Sequence, residues 1–123
     1  LPGCILVVDD NETQLAYLAD TLGNLGSRVE IARGGQEALD RARELRPDLI
    51  VMDIQKPGMD GLEATQRLRA DPALAAIPII TLTALAMPGD RERCLAAGMN
   101  DYLSKPDRLK ELTERIQAFL PGV

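Results

Sequence analysis

Three short stretches of the chain, Cys4-Ile-Leu-Val-Val8, Leu49-Ile-Val-Met52 and Pro78-Ile-Ile-Thr-Leu82, are almost wholly apolar and rich in β-branched residues. Each stops at a polar side chain: Asp9, Asp53 and Thr83. Runs of that length and composition predict strands buried on both faces. Two further segments, Arg28-Val-Glu-Ile-Ala32 and Asp101-Tyr-Leu-Ser104, alternate polar with apolar residues, as half-exposed edge strands do. Helical spacing fills the intervals. Leu15, Leu18, Ala19, Leu22 and Leu25 follow Asn11, a candidate N-cap with Gln14 three residues on, and stop at Gly26. Ala38, Leu39, Ala42 and Leu45 follow the Gly34-Gly35 break and are closed by Pro47. A third helix is expected over residues 62–70, ended by Asp71-Pro72, and a fourth from an Asp90 N-cap to Gly98. Leu109, Leu112, Ile116 and Phe119 give a fifth its buried stripe.

Five strands alternating with five helices predict an α/β fold, a parallel sheet with right-handed helical crossovers covering both faces. The continuously apolar strands belong in the middle and the alternating ones at the rims, which order 2-1-3-4-5 satisfies. The expected architecture is a doubly wound three-layer sandwich in one domain spanning residues 1–123. In that order the connections reverse between the first and third strands, so a ligand crevice is expected beyond their carboxyl ends.

Composition narrows the chemistry. The chain has no histidine, which excludes Ser-His-Asp and Cys-His catalysis, histidine zinc sites and an internal phosphohistidine. Cys4 and Cys94 are too few for a thiolate metal site, and each is expected to be a small buried apolar residue. A net charge of −5, with Tyr17, Tyr102 and Phe119 the only aromatics, argues against direct nucleic-acid binding. No segment is long and apolar enough to span a bilayer and no signal peptide is discernible, so a cytoplasmic location is expected. The chain lacks an initiator Met, so linked output or kinase domains outside this sequence are expected.

The unusual polar residues converge on the predicted crevice. Asp9 and Asp10 end the first strand, Asp53 the third, Thr83 the fourth and Lys105 the fifth. Singly, each has an ordinary explanation: Asp caps helices, Thr suits strands, and Lys beside Pro is often a solvated end. Together they put three carboxylates in one space, where they repel unless a cation compensates. Oxygen donors without His or Cys select a hard ion, and loose coordination completed by water and phosphate suits Mg²⁺. Asp10 and Asp53 are its expected ligands, supported by Asp9. Lys105 and the Thr83 hydroxyl can meet phosphoryl oxygens, and Asp53 can then act as the nucleophile that forms an acyl phosphate.

The segments Ile5-Leu-Val-Val-Asp-Asp10, Val51-Met-Asp-Ile-Gln-Lys-Pro-Gly-Met-Asp-Gly61, Leu82-Thr-Ala84 and Asp101-Tyr-Leu-Ser-Lys-Pro106 stand in one order and spacing. In these the whole chain resembles the receiver domains of bacterial two-component response regulators. Asp9-Asp10-Asn11 and Asp53-Ile-Gln55 look most like receivers attached to hybrid histidine kinases. The resemblance implies a flavodoxin-like fold. It also implies Asp9 and Asp10 as the acidic pair, Asp53 as phosphoacceptor, Thr83 as switch hydroxyl, Tyr102 as switch aromatic and Lys105 as phosphate-sensing lysine. The Gln55 backbone carbonyl is implied as a metal ligand. Gln55 and Leu85, two positions beyond acceptor and switch hydroxyl, are implied as tuners of phosphoryl lifetime. Asp107 departs from the family, which more often has an apolar or small residue there.

The expected function is a phosphorylatable signalling switch, not a conventional enzyme, with at most slow self-dephosphorylation. Its expected donor is a histidine kinase or histidine phosphotransfer domain. The face of the fourth helix, fifth strand and fifth helix, including Ala86, Met87, Arg91 and Tyr102, is the expected partner surface. A small aspartyl-phosphate phosphatase would need a second Asp where Gln55 stands, and a flavin binder would meet Asp9 and Asp10 in place of a hydroxyl-rich loop. A non-catalytic scaffolding domain remains the alternative. Arg67, Arg69, Arg91 and Arg93 read as solvated helix faces.

Overall fold

The structure, a computed structural model, describes residues 3–9, 11–24, 26, 28–52, 61–83, 89–104, 114 and 118. The elements run β1 (Cys4–Val8), α1 (Glu12–Asn24), β2 (Arg28–Ala32), α2 (Gly35–Leu45), β3 (Leu49–Met52), α3 (Gly61–Ala70), β4 (Ile79–Thr83), α4 (Asp90–Ala97) and β5 (Asp101–Ser104). The strands form one parallel sheet in the order β2-β1-β3-β4-β5, the order expected from strand burial. β3 is buried throughout, whereas edge strand β2 exposes Arg28 and half-exposes the next three residues.

The period of two along each strand divides the core between the sheet's faces. Ile5, Val7, Leu49, Val51 and Ile80 pack with Leu15, Leu18 and Leu22 of α1. Leu6, Val8, Ile50, Met52 and Ile79 pack with Ala38, Leu39 and Ala42 of α2, Ala64 and Leu68 of α3 and Cys94 of α4. Each fully buried Leu or Ile contributes roughly 1.5–3 kcal/mol over its exposed state, so both helical layers are held chiefly by these contacts. Of the expected fifth helix, Leu109, Leu112, Ile116 and Phe119 lie outside the described residues. Glu114 and Ala118, one turn apart, are helical and exposed. Among the described residues no helix is long and apolar enough to cross a membrane.

Several boundaries differ from expectation for identifiable reasons. Gly89, not Asp90, is the N-cap of α4: its φ of 85° is a left-handed conformation that glycine takes at little cost. Gly35 is the first, buried residue of α2, so Gly34 alone forms the break. α2 stops at Arg46, whose φ is 47° and whose N–H donates to the Ala42 carbonyl at 2.8 Å, one residue before Pro47. β4 begins at Ile79 because Pro78 has no N–H to give, although its carbonyl accepts from Ile50 at 2.9 Å. Cys94 is buried as expected, but Cys4 is only half-buried. Its N–H donates to Asp48 Oδ2 at 2.8 Å, and burial pushes its thiol pKa up.

Arg69 overturns the reading of a solvated face. Arg67 stays exposed, 3.9 Å from Glu63, and Arg91 and Arg93 are exposed. Arg69 is partly buried between α3 and the start of β5. Its Nε donates to the Gly98 carbonyl at 2.9 Å and its Nη1 to the carbonyls of Ala75 and Ile77 at 3.0 and 2.7 Å. Its Nη2 donates to Asn100 Oδ1 at 2.7 Å. All four acceptors are neutral oxygens, so burial pulls the guanidinium pKa below its ordinary value.

Candidate functional site

Strand register defines the carboxyl rim of the sheet. Val8 pairs with Ala32 on one side and with Met52 on the other, and Met52 pairs with Thr81. β1, β2 and β3 therefore end at one level of the carboxyl rim. β4 runs two residues further to Thr83, an overhang of about 7 Å at the rise of a parallel strand. Thr83 pairs with Ser104, so β5 ends beside it, and Tyr102 pairs with Thr81 below. The topology thus gathers the last residues of four strands on one rim: Val8 of β1, Met52 of β3, Thr83 of β4 and Ser104 of β5.

Asp9 is the described member of the expected acidic set. It is 3% exposed, and its N–H donates to the Ala32 carbonyl at 3.0 Å, extending the β1–β2 ladder by one bond. Its Oδ1 accepts the Asn11 N–H at 3.0 Å, a turn in which a carboxylate bonds the backbone two residues on. Asn11 then stands at the N-cap position of α1, its carbonyl accepting from Leu15 at 3.0 Å. A buried carboxyl group is costly without hydrogen bonds, and here the start of α1 supplies one.

Beside this turn, Arg33 leaves β2 and forms a two-pronged ion pair with Glu12, the first residue of α1. Both side chains are largely exposed. The hydrogen bond from Arg33 holds the Glu12 carboxyl below the usual carboxylate range, and Glu12 in turn raises the Arg33 pKa. The Arg33 N–H donates to Glu37 Oε1 at 3.1 Å, joining the same rim to the first turn of α2. Sequence reasoning missed this pair. Its available signal was that residue 33 follows a strand whose end must lie beside the first βα turn.

Asp10, Asp53, Gln55, Leu85, Ala86, Met87 and Lys105 lie outside the described residues, as does Asp107. Thr83 and Tyr102 are placed through their backbones, in the last position of β4 and the second of β5. Among the described residues no group of three or more His, Cys, Asp or Glu could hold a metal ion. Asp9 nevertheless fits a hard divalent cation: it is a buried oxygen donor, with one oxygen anchored by the Asn11 N–H. The described cysteines stand elsewhere, Cys4 at the opposite end of β1 and Cys94 within α4.

A family model, the response regulator receiver domain, matches residues 5–117. The polar-differentiation response regulator DivK of Brucella anthropi is 43% identical over 120 residues, covering 98% of each chain. DivK of Brucella ovis is 43% identical over 116 residues, 94% of each. Among solved structures, the receiver domain of the sensor histidine kinase PA1611 of Pseudomonas aeruginosa is 42% identical with a TM-score of 0.88. The match covers 97% of this chain and 98% of that one, which carries a magnesium ion coordinated in its active-site cleft. The chemotaxis protein CheY4 of Vibrio cholerae superposes with a TM-score of 0.90 at 31% identity, covering 98% and 100%.

Proposed function

The chain belongs to the response regulator receiver domain family, a family of phosphorylatable signalling switches, and on that premise we propose that Asp53 is its phosphoacceptor. The observation that carries this reading is the register that ends β1 and β3 at one level, with buried Asp9 beyond β1 and Asp53 next in sequence after Met52. The donor is a phosphohistidine on a histidine kinase or phosphotransfer domain. An Asp53 oxygen attacks phosphorus, the P–N bond breaks, and its electron pair returns to the imidazole, which takes a proton from solvent. Asp9, Asp10, Asp53 and the Gln55 carbonyl would hold Mg²⁺, whose charge offsets that of the transferring group. Lys105 and Thr83 then receive phosphoryl oxygens through charge-assisted hydrogen bonds. Tyr102 follows the movement of Thr83, which alters the face formed by α4, β5 and the fifth helix.

This domain, residues 1–123, works in the cytoplasm as a switch with slow self-dephosphorylation. Gln55 and Leu85 tune the phosphoryl lifetime, and Leu85 restricts the attacking water, so Leu85→Ala shortens the lifetime of the acyl phosphate. A phosphorylated histidine phosphotransfer domain tests the function. Its label should pass to this chain when Mg²⁺ is present and stay on the donor when Mg²⁺ is chelated. A label that never leaves any donor tried would contradict the reading and favour a scaffolding domain.

A further inference from the structure

β5 is a four-residue edge strand paired with β4 alone. A slip of one residue would exchange its faces, but a slip of two keeps the alternation of Asp101-Tyr-Leu-Ser104, so side-chain pattern alone does not forbid it. Such a slip would carry the end of β5 about 7 Å along β4 and separate Ser104 from Thr83. Two hydrogen bonds tie the strands together at the opposite end. The Asn100 N–H donates to the Ile79 carbonyl at 2.7 Å, and the Ile79 N–H donates to Asn100 Oδ1 at 2.8 Å. Asn100 brackets one residue of β4, holding both its N–H and its carbonyl, immediately before β5 begins.

The same Oδ1 accepts from Arg69 at 2.7 Å, and Arg69 also grips the carbonyls of Gly98, Ala75 and Ile77. The end of α4, the start of β5 and the segment leading into β4 thus share one guanidinium. Gly98 makes room for it: a Cβ there would lie 2.7 Å from Arg69 Cγ. A partly buried guanidinium held only by neutral oxygens is a costly way to gain stability but a specific way to fix geometry.

We infer that Asn100, held by Arg69, is a register pin that sets which residue of β5 stands beside Thr83 at the phosphoryl rim. Both are positioning residues, far from the chemistry, and the inference rests on the reading of Thr83 and Lys105 as phosphoryl-sensing groups. Asn100→Ala removes the bracket. Asn100→Asp keeps an oxygen for both Ile79 and Arg69, and Arg69→Met is the milder break that leaves the Ile79 bonds in place.

The test is amide NMR of the parent and these variants with Mg²⁺ alone and with Mg²⁺ plus beryllofluoride. Parent and Asn100→Asp should show beryllofluoride shifts from Thr83 through Ser104. Asn100→Ala should lose them and Arg69→Met should weaken them. In all variants the Mg²⁺ dissociation constant read at Asp9 and Asn11 should stay within about twofold of the parent, as expected for distant independent sites. A merely structural role would weaken Mg²⁺ binding and the β5 response together, and that result overturns the pin. Parent-like β5 shifts in Asn100→Ala overturn it as well. Absence of any beryllofluoride response at Asp9 and Asn11 in the parent would instead overturn the phosphoryl reading, and the pin with it.

Discussion

Val8 and Met52 are register partners on adjacent parallel strands, and each is the last residue of its strand. The chain therefore leaves both strands at neighbouring points of one rim, with Asp9 following Val8 and Asp53 following Met52 in sequence. Under the proposed assignment the Asp9 and Asp53 carboxylates would oppose one another at this rim and favour a cation.

Mg²⁺ should consequently raise the melting temperature of the unphosphorylated protein. Preferential binding to the folded state is worth about 2.7 kcal/mol at a hundredfold excess over the dissociation constant. Asp10→Ala should remove the gain, and calorimetry with and without the ion reads it. A melting temperature indifferent to saturating Mg²⁺ would contradict the site.

The Glu12–Arg33 pair predicts a pH dependence of definite sign. The folded-state pKa of Glu12 is depressed, so the pair's contribution is present above the unfolded Glu value, near 4.3, and is lost as pH falls through the folded value. Both partners are exposed, so added salt should shrink the effect. Carboxyl-carbon NMR titration should show the Glu12 pKa rising in Arg33→Gln. Identical titrations in parent and variant would mean the pair does not form in solution.

Two backbone positions should respond with opposite signs. Gly98 has a φ of 113° and no space for a Cβ beside Arg69, so Gly98→Ala should destabilise the fold by roughly 1–3 kcal/mol. Arg46 is a non-glycine residue at φ 47°, where left-handed backbone costs roughly 1–2 kcal/mol. Arg46→Gly recovers that cost less the extra chain entropy of glycine, a net gain of up to about 1 kcal/mol. Urea midpoints at unchanged slope measure both, and equal signs would refute the comparison.

The sheet is legible in the sequence because burial on two faces demands continuous apolar runs, and residues 4–8 and 49–52 carry them without interruption. Strand order follows because Arg28, Glu30 and Asp101 suit only rims. The polar residues after the strands are legible for a related reason: a chain leaving a buried strand at a polar residue marks the rim. What escapes are bonds between distant residues with no shared period. Arg33 meets Glu12 across 21 positions, Arg69 meets Asn100 across 31, and Asp48 takes the Cys4 N–H across 44. An arginine on a helix carries no mark of whether its end meets water or a neighbouring carbonyl. The start of α4 escapes by a single residue, because Asp is the commoner cap and only the backbone reveals the left-handed turn at Gly89.

The central claim is that Asp53 accepts the phosphoryl group, and mass spectrometry of the intact chain after incubation with acetyl phosphate and Mg²⁺ tests it most directly. The parent should gain a single phosphoryl group that is lost in mild base, as acyl phosphates are, and Asp53→Asn should gain none. Equal labelling of parent and Asp53→Asn would place the acceptor elsewhere and contradict the account.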